Sequence, residues 1–211
     1  MKIGIIGAGR IGANAARLFA RAGHEVVISN SRGPETLSGI VEEIGNDTRA
    51  VTIEEAADFG DVVLEAIPFG RYEELPADHL ADKIVIDASN YYPRRDGGID
   101  LGGLTSTEAV ARHLPDSRVV KAFNTMYYER LANEGRPGFQ LEKRQVLFVA
   151  GDDEEAKGIV SRLIEEIGFA PVDTGSLKDS YLQEPGSSVY NNPMTPERAH
   201  EMLAGSREER R

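Results

Sequence analysis

Cysteine is absent from the 211 residues, which excludes disulfides, thiolate zinc sites, iron–sulfur clusters and a thiol nucleophile together. Tryptophan is absent as well, and basic residues are in deficit. The 24 Lys and Arg stand against 35 Asp and Glu, a formal charge of −11. Non-specific nucleic-acid binding draws on excess cations, so nucleic acid is not an expected partner. No apolar run approaches the ~20 residues of a membrane-crossing helix, so no membrane partner is expected either. Met1-Lys2 leads straight into Ile3–Ile6 with no signal-peptide pattern, and the expectation is a soluble cytoplasmic protein. What remains, 40% hydrophobic and 28% charged residues, is the balance of an ordinary globular chain long enough for one well-buried core.

The apolar runs are short and separated by amphipathic stretches. Strands are expected at Lys2–Ile6, Glu25–Ser29, Val62–Ile67, Lys83–Ala88, Arg118–Phe123, Gln145–Ala150 and Ala170–Asp173. Most are unbroken Val/Ile/Ala runs, the pattern of strands covered on both faces. Helices are expected at Ile11–Ala22, Pro34–Ile44, Ile53–Asp58, Ser106–His113 and Asp153–Ile167, with a last short one from Thr195-Pro196. Pro34 suits a first helical position, and Gly168 suits a left-handed C-terminal cap. This alternation predicts an α/β fold with a doubly wound parallel sheet. Residues 89–104 are too rich in Gly and Pro for an element interior and read as a long loop. The expected organisation is one α/β domain over 1–180, with 181–211 an extension packing on it. The charged end, Ser206–Arg211, is expected to fray.

The first strand runs into Gly7-Ala8-Gly9-Arg10-Ile11-Gly12 and then a helix. This is the context in which G-x-G-x-x-G marks a Rossmann-like dinucleotide site. Gly7 makes the tight turn, Gly9 admits a pyrophosphate to the backbone, and Gly12 lets helix and strand pack. The end of the second strand selects the nucleotide. An NAD site needs an acid there for the ribose 2′-hydroxyl, whereas this chain carries Asn30-Ser31-Arg32. Ser31 can donate to a 2′-phosphate, and Arg32 can pair with it and stack on adenine. NADP is therefore the expected cofactor.

Ligands in such sheets lie outside the carboxyl ends of the strands. The run ending in Pro68 suits a chain leaving the sheet over the cofactor, and Asn124 and Thr125 are placed where they can face the nicotinamide. The expected NADP contacts are thus Gly7, Gly9, Arg10, Ile11, Gly12, Asn30, Ser31, Arg32, Ala66, Ile67, Pro68 and Asn124. Glu65, odd within an apolar strand, either pairs with a cation or lines a pocket. His24, His79, His113 and His200 show no metal-ligand spacing, and Lys121 is as much a structural as a chemical candidate. No catalytic residue and no metal ligand is assigned.

With Ile3–Gly12, Ser29–Leu37, Ala66–Phe69, Val119–Thr125, Val149–Asp153 and Gly168–Asp173 assembled, the chain resembles the NADPH-dependent coenzyme F420 reductase family. The resemblance implies direct hydride transfer between nicotinamide and a deazaflavin, a homodimer, a 2′-phosphate held by Ser31 and Arg32, and Ile67-Pro68 along the cofactor. Coenzyme F420 carries a phosphate and an acidic tail, for which Arg94, Arg95 and then Arg136 are the candidate cations, with Tyr91-Tyr92 as walls of the ring pocket. Gln183–Ser187 and Tyr190–Pro193 depart from the family pattern and resemble bacterial relatives instead. They leave the acceptor open among deazaflavin, flavin, ferric chelate and quinone. A non-catalytic NADPH-binding module is the reading from another class. A hydroxyacid dehydrogenase or imine reductase would need a helical second domain, for which only the stretch after about residue 175 remains.

Overall fold

The computed structural model describes residues 1–208. Eight strands form one sheet in the order β3-β2-β1-β4-β5-β6-β7-β8. They are β1 (Lys2–Ile6), β2 (Glu25–Ser29), β3 (Arg49–Ala50), β4 (Val62–Glu65), β5 (Ile84–Asp87), β6 (Arg118–Ala122), β7 (Val146–Gly151) and β8 (Ala170–Gly175). The apolar runs thus become strands with ends shifted by one or two residues. Only the two-residue β3, which has no apolar pattern of its own, went unpredicted.

Both faces of the sheet are covered, as the unbroken runs required. Ile3, Ile5, Leu64, Ile86 and Val120 pack with α1 (Arg10–Arg21) and α8 (Glu154–Glu166). Ile6, Val63, Val85 and Val119 face the other way, toward α3 (Ile53–Phe59), α4 (Ala77–Leu80) and α6 (Ser106–His113). Pro34 opens a 3₁₀ turn, Pro34–Leu37, that runs into α2 (Ser38–Ile44). Gly168 follows α8 with φ 94°, the left-handed cap expected there.

Two details correct the sequence reading. The sheet is mostly rather than wholly parallel, because β7 runs antiparallel to β6, with Ala122 opposite Val149. Only α7 (Tyr128–Asn133) and a short 3₁₀ turn lie between these strands, and no crossover helix returns the chain to make them parallel. The loop 89–104 is not wholly irregular either. It holds one helical turn, α5 (Pro93–Asp96), with Pro93 at its start and the Asp96 carboxylate accepting from the Tyr92 N–H at 2.9 Å.

After β8 a 3₁₀ stretch, Leu177–Gln183, leads into irregular chain and then α9 (Pro196–Glu208). Leu182, Val189, Met194, Ala199 and Leu203 pack with Val146, Phe148 and Val172 of the sheet. Glu184 accepts from the Ser106 N–H at 2.8 Å and its hydroxyl at 2.7 Å, capping α6. The Asn191 N–H donates to Thr125 O at 2.9 Å, so the extension arrives at the carboxyl end of β6. The expected fraying from Ser206 is not seen through Glu208, which still belongs to α9; residues 209–211 lie outside the described residues. No helix among the described residues is long and apolar enough to cross a membrane.

Candidate cofactor and acceptor site

The turn from β1 to α1 is closed so tightly that glycine is dictated by contact distances. Gly7 has φ 107°, and a Cβ there would lie 2.7 Å from Ala66 O. A Cβ on Gly12 would lie 1.9 Å from Gly7 O. Gly9 is different: its Cβ would meet nothing within 4 Å, so open space lies in front of its backbone. Gly9 is also the N-cap of α1, with no side-chain cap and no acid in the first turn. Uncapped first-turn amides and the positive end of the helix dipole make this an anion site. The residues present therefore fit a pyrophosphate, with the Arg10 and Ile11 amides as donors.

From this turn a groove extends both ways. One end is a cavity of about 240 Å³ lined by Asn30, Ser31, Arg32, Pro68 and Arg71 among others. Asn30 Oδ1 accepts from the Arg32 N–H at 2.9 Å, and its Nδ2 donates to Thr36 Oγ1 at 2.9 Å. Asn30 thus shapes the turn that carries Ser31 and Arg32. Arg71 was not anticipated. It comes from the 3₁₀ turn Phe69–Glu74 after β4, and its Nη1 lies 3.4 Å from Ser31 Oγ.

The other end is a cleft of about 430 Å³ that shares Gly9, Ala66, Ile67 and Pro68 with the first cavity. Phe123, at the end of β6, takes φ 66°, a left-handed value that is strained for an aromatic residue. Its ring stays in the core against Phe19, centroids 5.8 Å apart, while Asn124 lies at the cleft. Asn124 Nδ2 donates to Asn90 Oδ1 at 3.0 Å and Gln183 O at 2.7 Å. Its buried Oδ1 has no partner, leaving an acceptor suited to a carboxamide N–H.

Tyr92, Tyr127, Tyr128 and Tyr190 wall this cleft. The Tyr92 and Tyr190 hydroxyls hydrogen-bond to each other across 98 residues of sequence. Burial, then the bond to Tyr92, pushes the Tyr190 phenol well above its ordinary value. The Arg95 guanidinium lies over the Tyr92 ring at 4.9 Å, and that of Arg10 over Tyr128 at 4.3 Å.

Not every expected residue reaches the cleft. Tyr91 turns away: its ring packs on Phe69 at 5.3 Å and its hydroxyl donates to Gly97 O at 2.9 Å. Arg94 is exposed outside the lining, whereas Arg95 is part of it. Arg136 is spent on its own loop, donating to Asn133 O at 2.7 Å and Gly135 O at 2.9 Å. Tyr128 and Tyr190 were missed because an isolated tyrosine carries no local signal of its neighbours. The histidines lie elsewhere: His24 meets Glu166 at 2.8 Å, His79 meets Asp58 at 2.9 Å, and His113 meets Leu75 O at 2.9 Å. Among the described residues, no three His, Asp or Glu side chains cluster as a metal set.

Behind the groove, Glu65, Asp87 and Lys121 stand side by side on β4, β5 and β6, and all three are fully buried. Lys121 Nζ donates to Asp87 Oδ2 at 3.0 Å and Ser89 O at 2.6 Å. Lys121 is therefore occupied in the wall rather than offered to a ligand. Burial pushes Asp87 upward, but the Lys121 charge and nearby hydrogen bonds outweigh it and bring Asp87 down to about 2. Burial and then the Asp87 charge drive Glu65 well above the carboxylate range. Both effects favour the protonated form of Glu65, whose Oε2 accepts from the Ile67 N–H at 3.2 Å.

The sequence over residues 2–91 matches the model of the NADP oxidoreductase, coenzyme F420-dependent, family. The chain belongs to this family. The crystal structure of the hypothetical protein SMa0349 from Sinorhizobium meliloti is 36% identical, with TM-score 0.81 over 92% of this chain and 95% of that one. A protein from Arthrobacter sp. FB24, provisionally assigned as an F420-dependent NADP-reductase, is 24% identical and shares the fold. Its TM-score is 0.71 over 98% of this chain and 91% of its own. Metalloreductase STEAP3 of Rattus norvegicus is 34% identical over 178 residues, 83% of this chain. The chain spans about a third of the length of that relative, 34%. An NADP-dependent oxidoreductase on a Rossmann-like α/β fold is the common ground of family and structure.

Two predictions follow from these contacts. Gly9→Ala should weaken NADPH binding at least tenfold by fluorescence titration while costing no more than about 1 kcal/mol in urea unfolding, an N-cap effect. Gly12→Ala should instead lower stability by about 2 kcal/mol or more, since backbone must move; equal stability losses in the two variants would refute this division. The buried row gives a pH dependence. The fold raises the Glu65 pKa well above its ordinary 4.5, so its contribution falls as pH rises through that value toward the raised one. Glu65→Gln should therefore gain in Tm relative to the parent between pH 5 and pH 8. Lys121→Met, which strands the Asp87 charge, should cost about 3–5 kcal/mol at pH 7. A pH-independent Tm difference for Glu65→Gln would mean that Glu65 is ionised in the fold.

Proposed function

We propose that this protein transfers hydride directly between NADP(H) and a planar deazaflavin of the coenzyme F420 type seated in the tyrosine-walled cleft. One observation carries the reading. The cleft shares Gly9, Ala66, Ile67 and Pro68 with the adenosine-side cavity, so nucleotide and acceptor would meet over the same strand ends. Aromatic walls favour a flat ring by stacking, and the Arg95 and Arg10 guanidiniums, which lie over the Tyr92 and Tyr128 rings, suit an anionic tail.

When bound, NADPH supplies the hydride, and the protein's share is binding and alignment. The amides after Gly9 would hold the pyrophosphate, with Ser31 and Arg32 at the 2′-phosphate. Ala66–Pro68 would flank the nicotinamide ribose side, and Asn124 Oδ1 would accept from the carboxamide. The tyrosine rings keep water from the reacting faces, and the paired Tyr92 and Tyr190 hydroxyls offer a hydrogen bond to a polar edge of the acceptor. Such alignment is the main requirement of a direct transfer.

The likeness to a metalloreductase supports a second reading, in which electrons pass to a flavin or a ferric chelate. Purified protein mixed with NADPH or NADH, with coenzyme F420, FMN and ferric citrate offered separately, decides between them. The expected result is NADPH oxidation fastest with the deazaflavin. FMN or ferric citrate reduction at an equal or higher rate would favour the second reading, and binding of NADPH without turnover would reduce the protein to a nucleotide-binding module. Tyr190→Phe should raise the acceptor KM roughly tenfold, the worth of one hydrogen bond. The same variant should leave the NADPH Kd within twofold; an unchanged acceptor KM would remove Tyr190 from the acceptor site.

A further inference from the structure

We infer that Arg71, held in orientation by Glu74, is a further 2′-phosphate ligand that completes NADP selection from the turn after β4. The cavity at the adenosine end is lined by Ser31 and Arg32 on one side and by Arg71 and Glu74 on the other. Arg71 Nε donates to Glu74 Oε1 at 2.8 Å and Nη2 to Glu74 Oε2 at 2.5 Å, a bidentate pair on one edge of the guanidinium. That leaves the Nη1 side free, and it is the side that lies 3.4 Å from Ser31 Oγ. A guanidinium has two edges able to grip an oxyanion, and here one carboxylate occupies the first while the second faces the hydroxyl expected at the 2′-phosphate.

The base of this arm is rigid. Phe69 is fully buried and stacks on Tyr72 with centroids 4.9 Å apart, and the Arg71 N–H donates to Pro68 O at 2.9 Å. Arg71 and Glu74 themselves are largely exposed at the mouth. Each perturbs the other in the expected sense, Arg71 raised and Glu74 lowered, chiefly through their shared hydrogen bonds. An exposed ion pair adds little to fold stability, so a substitution here reports on the ligand and not on unfolding. The resulting site sets two guanidiniums, Arg32 and Arg71, about a phosphate, with the carboxylate confined to the far edge of one of them. A neutral ribose hydroxyl would gain little from that arrangement. Glu74 is a positioning residue in this scheme, since it acts through Arg71.

The test uses adenosine 2′,5′-bisphosphate and 5′-AMP as probes in calorimetric titration of the full chain, without any hydride acceptor. The wild-type protein should prefer the bisphosphate. Arg71→Ala should weaken the bisphosphate roughly tenfold or more, the scale of a charge-assisted contact, and leave 5′-AMP within twofold. Arg71→Lys should recover only part of the loss, because a point charge lacks the edge. Glu74→Ala should weaken the bisphosphate by roughly three- to fivefold, and should do nothing further in the Arg71→Ala background. Unchanged bisphosphate binding in Arg71→Ala would overturn the assignment of Arg71. Selective loss of 5′-AMP in Glu74→Ala would also overturn it, making Glu74 an acceptor for the ribose hydroxyl. Absence of any wild-type preference would instead sink the NADP pocket on which the inference rests.

Discussion

Glu65, Asp87 and Lys121 occupy adjoining positions on three neighbouring strands, out of reach of water, and the groove is built on them. A buried lysine without a carboxylate is too costly to keep charged, and a second buried carboxylate beside the first must take up a proton. The row answers both demands: Lys121 pairs with Asp87, and burial beside Asp87 favours the protonated form of Glu65. Other hydrogen bonds of the row reach the backbone at Ile67 and Ser89, the two segments where the chain leaves β4 and β5 to form the groove wall. Apolar residues in their place would fill the volume, but they would not hold those two backbone groups.

On that platform the two ends of the groove are made in different ways. The nucleotide end is local. Gly7, Gly9 and Gly12 act within one turn, and Asn30 arranges Ser31 and Arg32 through hydrogen bonds inside its own turn. The tyrosine-walled end is assembled over long distances, from Tyr92 after β5, Tyr128 at the start of α7 and Tyr190 in the extension. The antiparallel return of β7 is part of this assembly. It leaves α7 at the carboxyl end of β6, and the chain beyond β8 comes back to the same place, where Gln183 and Asn191 bond to Asn124 and Thr125.

This difference explains what could be read from the residues alone. The glycine turn and the Ser31-Arg32 pair were legible because their chemistry needs only near neighbours. The apolar runs located seven of the eight strands, since burial on both faces leaves an unbroken pattern. The direction of β7 left no trace, because an apolar run reads alike in either sense. Tyr91 and Tyr92 look interchangeable in sequence, yet successive residues of extended chain point to opposite sides, and only Tyr92 meets the cleft. Glu65 was an anomaly on its own strand and became intelligible only when pairing set Asp87 and Lys121 beside it.

The family match over residues 2–91 stops one residue short of Tyr92. It therefore covers the glycine turn, Ser31, Arg32, Arg71 and Pro68, but none of the four tyrosines of the cleft. Kinship in that stretch speaks for the nucleotide, whereas the tyrosines assigned to the second substrate under the proposed function lie beyond it. The two halves meet only at Gly9 and Ala66–Pro68, which belong to both cavities and lie on the nucleotide side of the boundary. A fold arranged in this way can keep its hydride donor fixed while the acceptor changes with the tyrosines and the extension.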